Sequence, residues 1–104
     1  MDIQFFQKKE PHVLEVKVSG DCDLYHASDF YDQVLGKINA GSRSLCIDFS
    51  GVRYLDSSGI GAMIRIIQHS RKENTSVTFR GISGMPRKVL KMSNILSIIT
   101  EEPA

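Results

Sequence analysis

The sequence is poor in three features that would each narrow its function. It has two cysteines in 104 residues, Cys22 and Cys46, which are too few for a disulfide framework. Its formal net charge is +1, so composition does not indicate nucleic acid or an acidic membrane as a direct partner. No apolar run approaches the roughly 20 residues of a membrane span, and the amino terminus has no signal-peptide pattern. These absences predict a cytoplasmic protein.

Length and composition predict one domain. At 104 residues the chain can bury a real core, with roughly two-thirds of the unfolded surface removed from water. Hydrophobic residues make up 41% and charged residues 24% of the chain, which is ordinary for a globular protein. We therefore expect a single domain over residues 1–104, with residues 99–104 as a polar tail. Cys46 alternates with Leu45 and Ile47, so we expect a reduced thiol in the core.

Hydrophobic periodicity predicts the element order β-β-α-β-α-β-α-β. Alternation predicts a half-buried strand at 13–18, and Ala27 begins a helix that should stop between Asn39 and Gly41. Strand–helix–strand units favour parallel neighbours, and the opening hairpin adds an antiparallel pair. The expected fold is α/β: a mixed sheet with an N-terminal antiparallel hairpin followed by β-α units, with helices packed on the sheet. The other strands are expected at 1–7, 44–49, 76–80 and 95–99, and the later helices at about 60–72 and 87–92.

Two of these segments have apolar side chains whose direction can be predicted. In the strand at 44–49, Leu45, Ile47 and Phe49 face one layer while Cys46 faces the other. A strand that is apolar on both faces is typical of the middle of a sheet covered by helices. The first helix repeats apolar residues every three or four positions and should bury them against the core. Those residues are Ala27, Phe30, Val34 and Ile38.

Residues 54–61, Tyr-Leu-Asp-Ser-Ser-Gly-Ile-Gly, lie where a strand passes into a helix. The first N–H groups of a helix have no intrahelical partner, and short oxygen-bearing side chains satisfy them. The helix dipole also favours negative charge at this point. Ser57 and Ser58 are therefore either caps or places where the chain is modified. The helix that follows should present one apolar face, formed by Ile60, Met63, Ile64 and Ile67.

A serine on a strand-to-helix turn also fits a hydrolase, but the sequence supports this poorly. The Gly-x-Ser-x-Gly elbow is absent, and a nucleophilic serine needs a base within hydrogen-bond reach. His12, His26 and His69 have no recognisable motif around them. His26 lies at the start of the first helix and could approach the central loop. A small serine hydrolase using Ser57 and His26 is therefore kept as an alternative, although we expect no catalytic residue.

The chain shows no pattern for a metal or a cofactor. Its histidines and cysteines lack ligand spacing, and Asp21 and Asp23 form a pair without further ligands. Gly59 and Gly61 lack the Gly-Lys-Ser/Thr ending of a nucleotide-binding loop. We expect neither a metal nor a cofactor.

Phosphorylation fits the start of this helix better than catalysis does. A phosphoryl group adds nearly two negative charges, which helix amides and the dipole would offset against the charge of Asp56. Gly59 and Gly61 have no side chains to obstruct a partner. A docking surface that modification can switch is the physical prediction.

Three segments together resemble one family. Residues 56–61, Asp-Ser-Ser-Gly-Ile-Gly, follow the strand at 45–50 at the distance seen in the signature of the STAS domain, specifically in bacterial anti-sigma factor antagonists. Residues 20–23, Gly-Asp-Cys-Asp, resemble the family's Gly-x-x-Asp loop. Residues 86–90, Pro-Arg-Lys-Val-Leu, resemble its Pro-x-x-Val-Leu segment. The resemblance covers nearly the whole chain.

The resemblance implies a partner switch in transcription regulation. In the family, the unphosphorylated antagonist binds an anti-sigma factor that is also a serine kinase of the histidine-kinase-like ATPase fold, and the sigma factor is released. A PP2C-type phosphatase removes the phosphate that the kinase adds. By motif match, the resemblance implies Ser57 as the phosphorylated residue and Ser58 as the structural cap. For partner binding or support of the site it implies Asp21, Asp23, Asp56, Ser58, Gly59, Ile60 and Gly61.

The resemblance also leaves alternatives open. A STAS subunit of a lipid-transport or stress-sensing assembly would share the fold and have a different partner. Asn94 stands where relatives often have glycine, and it can still adopt the left-handed conformation. Many relatives add a final helix that is not expected here. Apolar surface left uncovered would then meet a partner or a second copy of the chain, which leaves a weak homodimer open.

Overall fold

The computed structural model of the chain describes residues 1–8, 13–39 and 43–102. Within these residues, four strands and three helices follow the expected order as far as the third helix. His12, the predicted helix stop at Ala40 and Gly41, and the last two residues of the predicted tail lie outside the described residues. The elements are β1 (Asp2–Gln7), β2 (Val13–Cys22), α1 (Ala27–Asn39), β3 (Ser44–Leu55), α2 (Ser57–Lys72), β4 (Ser76–Arg80) and α3 (Gly84–Met92).

The strands form one mixed sheet in the order β1-β2-β3-β4. β1 and β2 are antiparallel, whereas β3 runs parallel to both β2 and β4. The parallel pairs are connected through α1 and α2, because parallel neighbours need a crossover. The α/β fold class and the opening antiparallel hairpin that the sequence predicts are therefore confirmed.

The core lies on one face of the sheet. Leu45, Ile47 and Phe49 of β3 are buried there, as their alternation predicts. The ring centroid of Phe49 lies 6.1 Å from that of Phe30 in α1 and 5.6 Å from that of Phe79 in β4. Aromatic burial of this kind contributes both area and ring contacts to stability. The predicted buried face of α1 is confirmed, and its members are Ala27, Phe30, Val34 and Ile38.

The opposite face of the sheet is polar, which differs from the expectation of apolar packing on both sides of β3. Arg80 of β4 pairs with Glu15 of β2 at 2.5 Å and with Asp48 of β3 at 3.5 Å. Cys46 is buried and unoxidised as expected, but it lies on this polar face. Its thiol donates to a carboxylate oxygen of Glu102 at 3.1 Å. The alternation in β3 therefore separates a hydrophobic face from an ion-paired face.

β2 and β3 are longer than predicted. β2 continues to Cys22 through register shifts between Lys17 and Ser19 and between Gly20 and Asp21. These irregularities break the two-residue alternation, so the sequence shows no strand pattern beyond residue 18. β3 likewise continues to Leu55 instead of ending at residue 49. Both strands therefore run directly into the loops that position α1 and α2.

The predicted last strand at 95–99 is wrong. Asn94 has the left-handed conformation expected for it, with φ of 62°. The N–H groups of Ile95 and Leu96 then bond back to the carbonyl of Leu90 at 2.9 and 3.1 Å. These residues cap the end of α3 and pack against the core as a turn. Strand-like pairing is limited to one bridge between β4 and Glu101.

The buried face of α2 is rotated from its predicted position. Met63 is fully buried as expected, but Ile60, Ile64 and Ile67 are only half-buried. Three of the five buried residues of α2 are small, Gly59, Ala62 and Ser70, which lets the helix approach the sheet closely. The buried residues are Gly59, Ala62, Met63, Ile66 and Ser70.

Candidate functional site

Asp56 caps the amino terminus of α2. Its Oδ1 accepts hydrogen bonds from the N–H groups of Ser58 at 3.0 Å and Gly59 at 3.2 Å. The backbone of Asp56 is extended, with φ of −117° and ψ of −173°, as an N-cap residue requires. The role of structural cap implied for Ser58 is therefore wrong, because Asp56 already satisfies the N–H groups that a cap would serve.

The same carboxylate joins two loops at the carboxyl end of the sheet. Asp56 Oδ2 accepts a hydrogen bond from the N–H of Leu24 at 3.3 Å, in the turn between β2 and α1. The N–H of Asp56 donates to the carbonyl of Cys22 at 3.4 Å. Because β2 and β3 are parallel, their carboxyl ends lie at the same end of the sheet. Open α/β sheets usually place binding sites there. These bonds fix the turn before α1 against the start of α2.

Gly59 and Gly61 have different surroundings although they lie two positions apart. Gly59 is buried, and a Cβ there would overlap the carbonyl oxygen of Cys22 and lie 2.6 Å from Leu55 Cδ1. Among the described residues, no atom lies within 4 Å of a Cβ built on Gly61. The sequence predicts that both glycines leave space for a partner, but only Gly61 is open. Gly59 instead lets α2 contact the end of β2 inside the fold.

Ser57 is the first residue of α2, and its side chain is exposed. Within residues 1–8, 13–39 and 43–102, its hydroxyl has no hydrogen-bond partner. Ser58 is half-buried, and Ile60 packs partly against the core. The hydroxyl of Ser57 is therefore not used by the fold and faces outward.

Three large apolar side chains near the start of α2 are exposed, and we call them the entrance patch. Their exposed fractions are 68% for Leu24, 86% for Tyr25 and 41% for Tyr54. With Asp21, Asp23 and Asp56 they line one shallow depression. The structure thus brings the three predicted acidic residues together around exposed apolar surface, which is typical of an interaction site.

Sequence reasoning missed the entrance patch. Leu24 and Tyr25 lie in a turn between two elements, and Tyr54 lies at an exposed position near the end of β3. Their one sequence signal is that they are apolar residues outside any helical or strand periodicity. Such residues have no core position to fill, and this favours a role at the surface.

The sequence from residue 5 to residue 100 matches the family model described as Mlab, STAS domain. The chain belongs to the STAS domain family. It is 28% identical over 81 residues to a STAS-domain containing protein of Pseudomonas aeruginosa (strain UCBPP-PA14), and the match covers 78% of this chain and 79% of the relative. It is 20% identical over 85 residues to the anti-sigma-B factor antagonist of Staphylococcus aureus (strain NCTC 8325 / PS 47), with 82% of this chain and 79% of the relative covered.

Solved structures agree with the STAS fold. The anti-sigma factor antagonist SpoIIAA in its unphosphorylated form has a TM-score of 0.79 at 16% identity, covering 98% of this chain and 89% of that chain. A putative anti-sigma factor antagonist from Thermotoga maritima has a TM-score of 0.81 at 17% identity, covering 98% and 86%. RsbS from Moorella thermoacetica has a TM-score of 0.80 at 16% identity, covering 100% and 88%. At these identities the likeness shows the fold alone.

In this STAS domain, His26 is paired with Asp23. Its Nδ1 lies 2.6 Å from Asp23 Oδ1, which also accepts a hydrogen bond from the N–H of Tyr25 at 3.0 Å. Partial burial opposes ionisation of Asp23, but the His26 contact and the backbone N–H groups outweigh it and hold the pKa of Asp23 below its ordinary value. No described residue bonds to the Ser57 hydroxyl, so the serine–histidine pair of a hydrolase is not assembled here.

Cys22 lies behind the start of α2 and is fully buried. Burial raises the pKa of the Cys22 thiol to about 12, with a smaller contribution from the negative charges of Asp56 and Asp23. The thiol is therefore a packing group and not a nucleophile at neutral pH.

The STAS domain shows no metal cluster and no membrane span in the part of the chain that the structure describes. There, no three His, Cys, Asp or Glu side chains are arranged to hold a metal ion. None of its helices is both long enough and apolar enough to cross a bilayer.

Proposed function

We propose that this STAS domain is a regulatory protein, and not an enzyme, whose partner binding is switched by phosphorylation of Ser57. Unphosphorylated, it binds an anti-sigma factor that is also a serine kinase of the histidine-kinase-like ATPase fold, and so releases a sigma factor or another target. A PP2C-type phosphatase restores the unphosphorylated form. The relative and the solved structure that are named as anti-sigma factor antagonists, from Staphylococcus aureus and SpoIIAA, support this proposal.

The observation that carries the proposal is the position of Ser57. It is exposed at the first residue of α2, and its hydroxyl is not engaged by any residue that the structure describes. It follows Asp56, which lines a depression with the exposed entrance patch. Buried aromatic side chains supply much of the binding free energy at protein interfaces. A partner that covers Tyr25 and Tyr54 would therefore bind through the surface that Ser57 borders.

A phosphate on Ser57 would change the charge of this surface more than it would change the fold. The sequence predicts that helix amides would offset the charge, but Asp56 already accepts hydrogen bonds from two of those N–H groups. Asp21 and Asp23 add further negative charge in the same depression. The N–H of Ser57 itself, which has no partner among the described residues, and the helix dipole remain to compensate for part of the new charge. The phosphate charge would thus remain at the surface, where a docking partner must desolvate it.

The test begins with a pull-down by the tagged chain, after which the captured kinase and ATP are used to map the modified residue. Calorimetry then measures the affinity of the captured kinase for wild type, Ser57→Ala and Ser57→Asp. We expect Ser57→Ala to bind like wild type and to resist modification. We expect Ser57→Asp to bind roughly 100- to 1000-fold more weakly, a loss of about 3–4 kcal/mol from like-charge and desolvation costs.

Ser83→Asp is the matched control, because Ser83 is likewise exposed at the start of a helix. Its affinity should equal that of wild type. Modification at another residue, or equal affinity of Ser57→Ala and Ser57→Asp, would contradict the proposal. If the chain is instead a subunit of a lipid-transport or stress-sensing assembly, Ser57→Ala and Ser57→Asp should bind the partner with equal affinity. A hydrolase would instead show stoichiometric labelling by a serine-reactive phosphonate that is lost in both Ser57→Ala and His26→Ala.

A further inference from the structure

The two edges of the sheet are covered to different extents. At β4, the N–H of Phe79 donates to the carbonyl of Thr100 at 2.8 Å, and its carbonyl accepts from the N–H of Glu102 at 2.7 Å. Arg87 of α3 holds Glu101 in this segment by an ion pair of 2.8 Å. The chain therefore covers part of its own β4 edge. At β1, no strand among the described residues pairs with the outer edge.

The backbone groups of β1 alternate between β2 and the open edge. The N–H of Lys8 donates to the carbonyl of Val13 at 3.1 Å, and β1 stays in continuous antiparallel register with β2. Because consecutive residues of a strand point to opposite neighbours, the even-numbered residues bond to β2. The N–H and C=O groups of Ile3, Phe5 and Gln7 therefore face the open edge.

We propose that the open edge of β1 pairs antiparallel with β1 of a second copy of this chain. With Phe5 opposite its own equivalent, Ile3 lies opposite Gln7 of the second copy, and about six N–H···O=C bonds can form. In the same register, Asp2 of each copy lies opposite Lys8 of the other. Two opposite-charge pairs then flank the backbone bonds, at positions where facing side chains interact directly. A shift of two residues either way loses about two bonds and both charge pairs, so one register is preferred.

The composition of β1 suits such pairing. Between Ile3 and Gln7 the strand has no charge and no proline, the residues that natural edge strands use to prevent association. Phe6 is 47% exposed on the polar face of the sheet, so pairing would remove apolar surface from water. On the other face, Lys37 of α1 lies 5.0 Å from the ring centroid of Phe5. The helix thus covers the side chain of Phe5 in each copy, and the free groups are those of the backbone.

Sedimentation equilibrium of the full chain over a wide range of concentration tests this dimer. Asp2→Lys places like charges opposite each other at both ends of the pairing, so we expect Kd to rise about tenfold or more. Combining Asp2→Lys with Lys8→Asp reverses both charge pairs and should restore Kd to within about threefold of wild type. Lys8 also pairs with Glu15 of its own chain at 3.0 Å, which makes Asp2→Lys the cleaner single variant.

Two further variants test whether a change in Kd comes from the open edge of β1, and not from a change in net charge or from misfolding. Lys17→Asp is the matched control, because Lys17 is an exposed lysine opposite Gln4 on the neighbouring strand, away from the open edge. It should leave Kd unchanged. Gln7→Pro removes an outward N–H and spares the backbone bonds to β2, although it also removes the hydrogen bond from Gln7 Nε2 to the carbonyl of Val13 at 2.9 Å. It should give a folded monomer by circular dichroism and sedimentation. A wild-type chain that stays monomeric, or a dimer unaffected by both Asp2→Lys and Gln7→Pro, would overturn the proposal.

Discussion

The helices α2 and α3 both follow a parallel strand, but they begin in different ways. At α2, the Asp56 carboxylate accepts two N–H groups of the first turn, and Gly59 fits against the end of β2. At α3, Ser83 is the N-cap by backbone position, with φ of −149° and ψ of 174°, and its side chain makes no cap hydrogen bond. Pro86 in that first turn is buried, and the guanidinium of Arg87 donates to the carbonyl of Ile82 at 3.3 Å. The start of α2 is thus fixed by a side-chain cap and by close packing at Gly59, whereas the start of α3 has no side-chain cap.

This difference means that α2 can begin without the Ser57 side chain, which stays available for modification. Because Asp56 performs the capping, the hydroxyl of Ser57 is not needed to begin the helix. A side chain that the fold does not use can be modified at little cost to stability. Ser83 is also exposed, but none of its chain neighbours lines the depression with the entrance patch, as Asp56 does next to Ser57. A free hydroxyl at a rigid helix start next to exposed apolar surface is therefore the combination that distinguishes Ser57.

The largest effect should come from filling the space at Gly59. A Cβ there would overlap the carbonyl oxygen of Cys22 and lie 2.9 Å from its Sγ, and the backbone atom has no way to move aside within a strand. We expect Gly59→Ala to lower the free energy of unfolding by about 3 kcal/mol, measured by urea denaturation.

Gly61→Ala is the matched control in the same helix turn. The described residues leave space for its Cβ, and alanine is the better helix former, so stability should be unchanged or rise by up to about 1 kcal/mol. If Gly59→Ala proved as stable as Gly61→Ala, then α2 would not be held against β2 as described.

Removing the cap should have a smaller effect. Asp56→Ala leaves the N–H groups of Ser58, Gly59 and Leu24 without their carboxylate acceptor, and we expect a loss of about 1–2 kcal/mol. Asp56→Asn retains an oxygen acceptor and should lose much less. Ser83→Ala at α3 should change stability by less than about 0.5 kcal/mol, because no side-chain bond is lost. Urea denaturation measures the free energy of unfolding of each variant. If Asp56→Ala and Ser83→Ala lowered it by similar amounts, the starts of α2 and α3 would not differ as described.

The same contrast explains how far the sequence alone could predict the site. The mixed sheet, the buried face of α1 and the placement of Ser57 at the start of α2 follow from local periodicity. The identity of the cap does not, because Asp56, Ser57 and Ser58 are all good capping residues. Which of them caps depends on where β3 ends, and β3 continues to Leu55 through residues without strand alternation. Phosphorylation of Ser57 stays a prediction.

Two other features depend on tertiary structure and leave little trace in the sequence. The register shifts near Ser19 and Gly20 carry β2 on to Cys22, although the apolar alternation ends at residue 18. The exposure of Tyr25 follows from the turn that Asp23 and Asp56 hold in place, and not from the residue type. Likewise, Ile95 and Leu96 have the composition of a strand, but the left-handed Asn94 turns them back onto α3.

The smallest expected effect is an alkaline loss of stability from the thiol behind α2. The pKa of Cys22 is raised from 9.0 to about 12, so the folded chain keeps the thiol protonated while the unfolded chain ionises it. The stabilisation that this provides is complete below pH 9 and is lost as the pH rises towards 12. Compared with Cys22→Ala, which cannot titrate there, wild type should lose roughly 1 kcal/mol more between pH 7.5 and pH 10. Cys46, whose pKa is also raised, is present in both proteins and cancels. Parallel stability curves for the two proteins would mean that water reaches the thiol in the folded chain, and that α2 does not close over Cys22 as described.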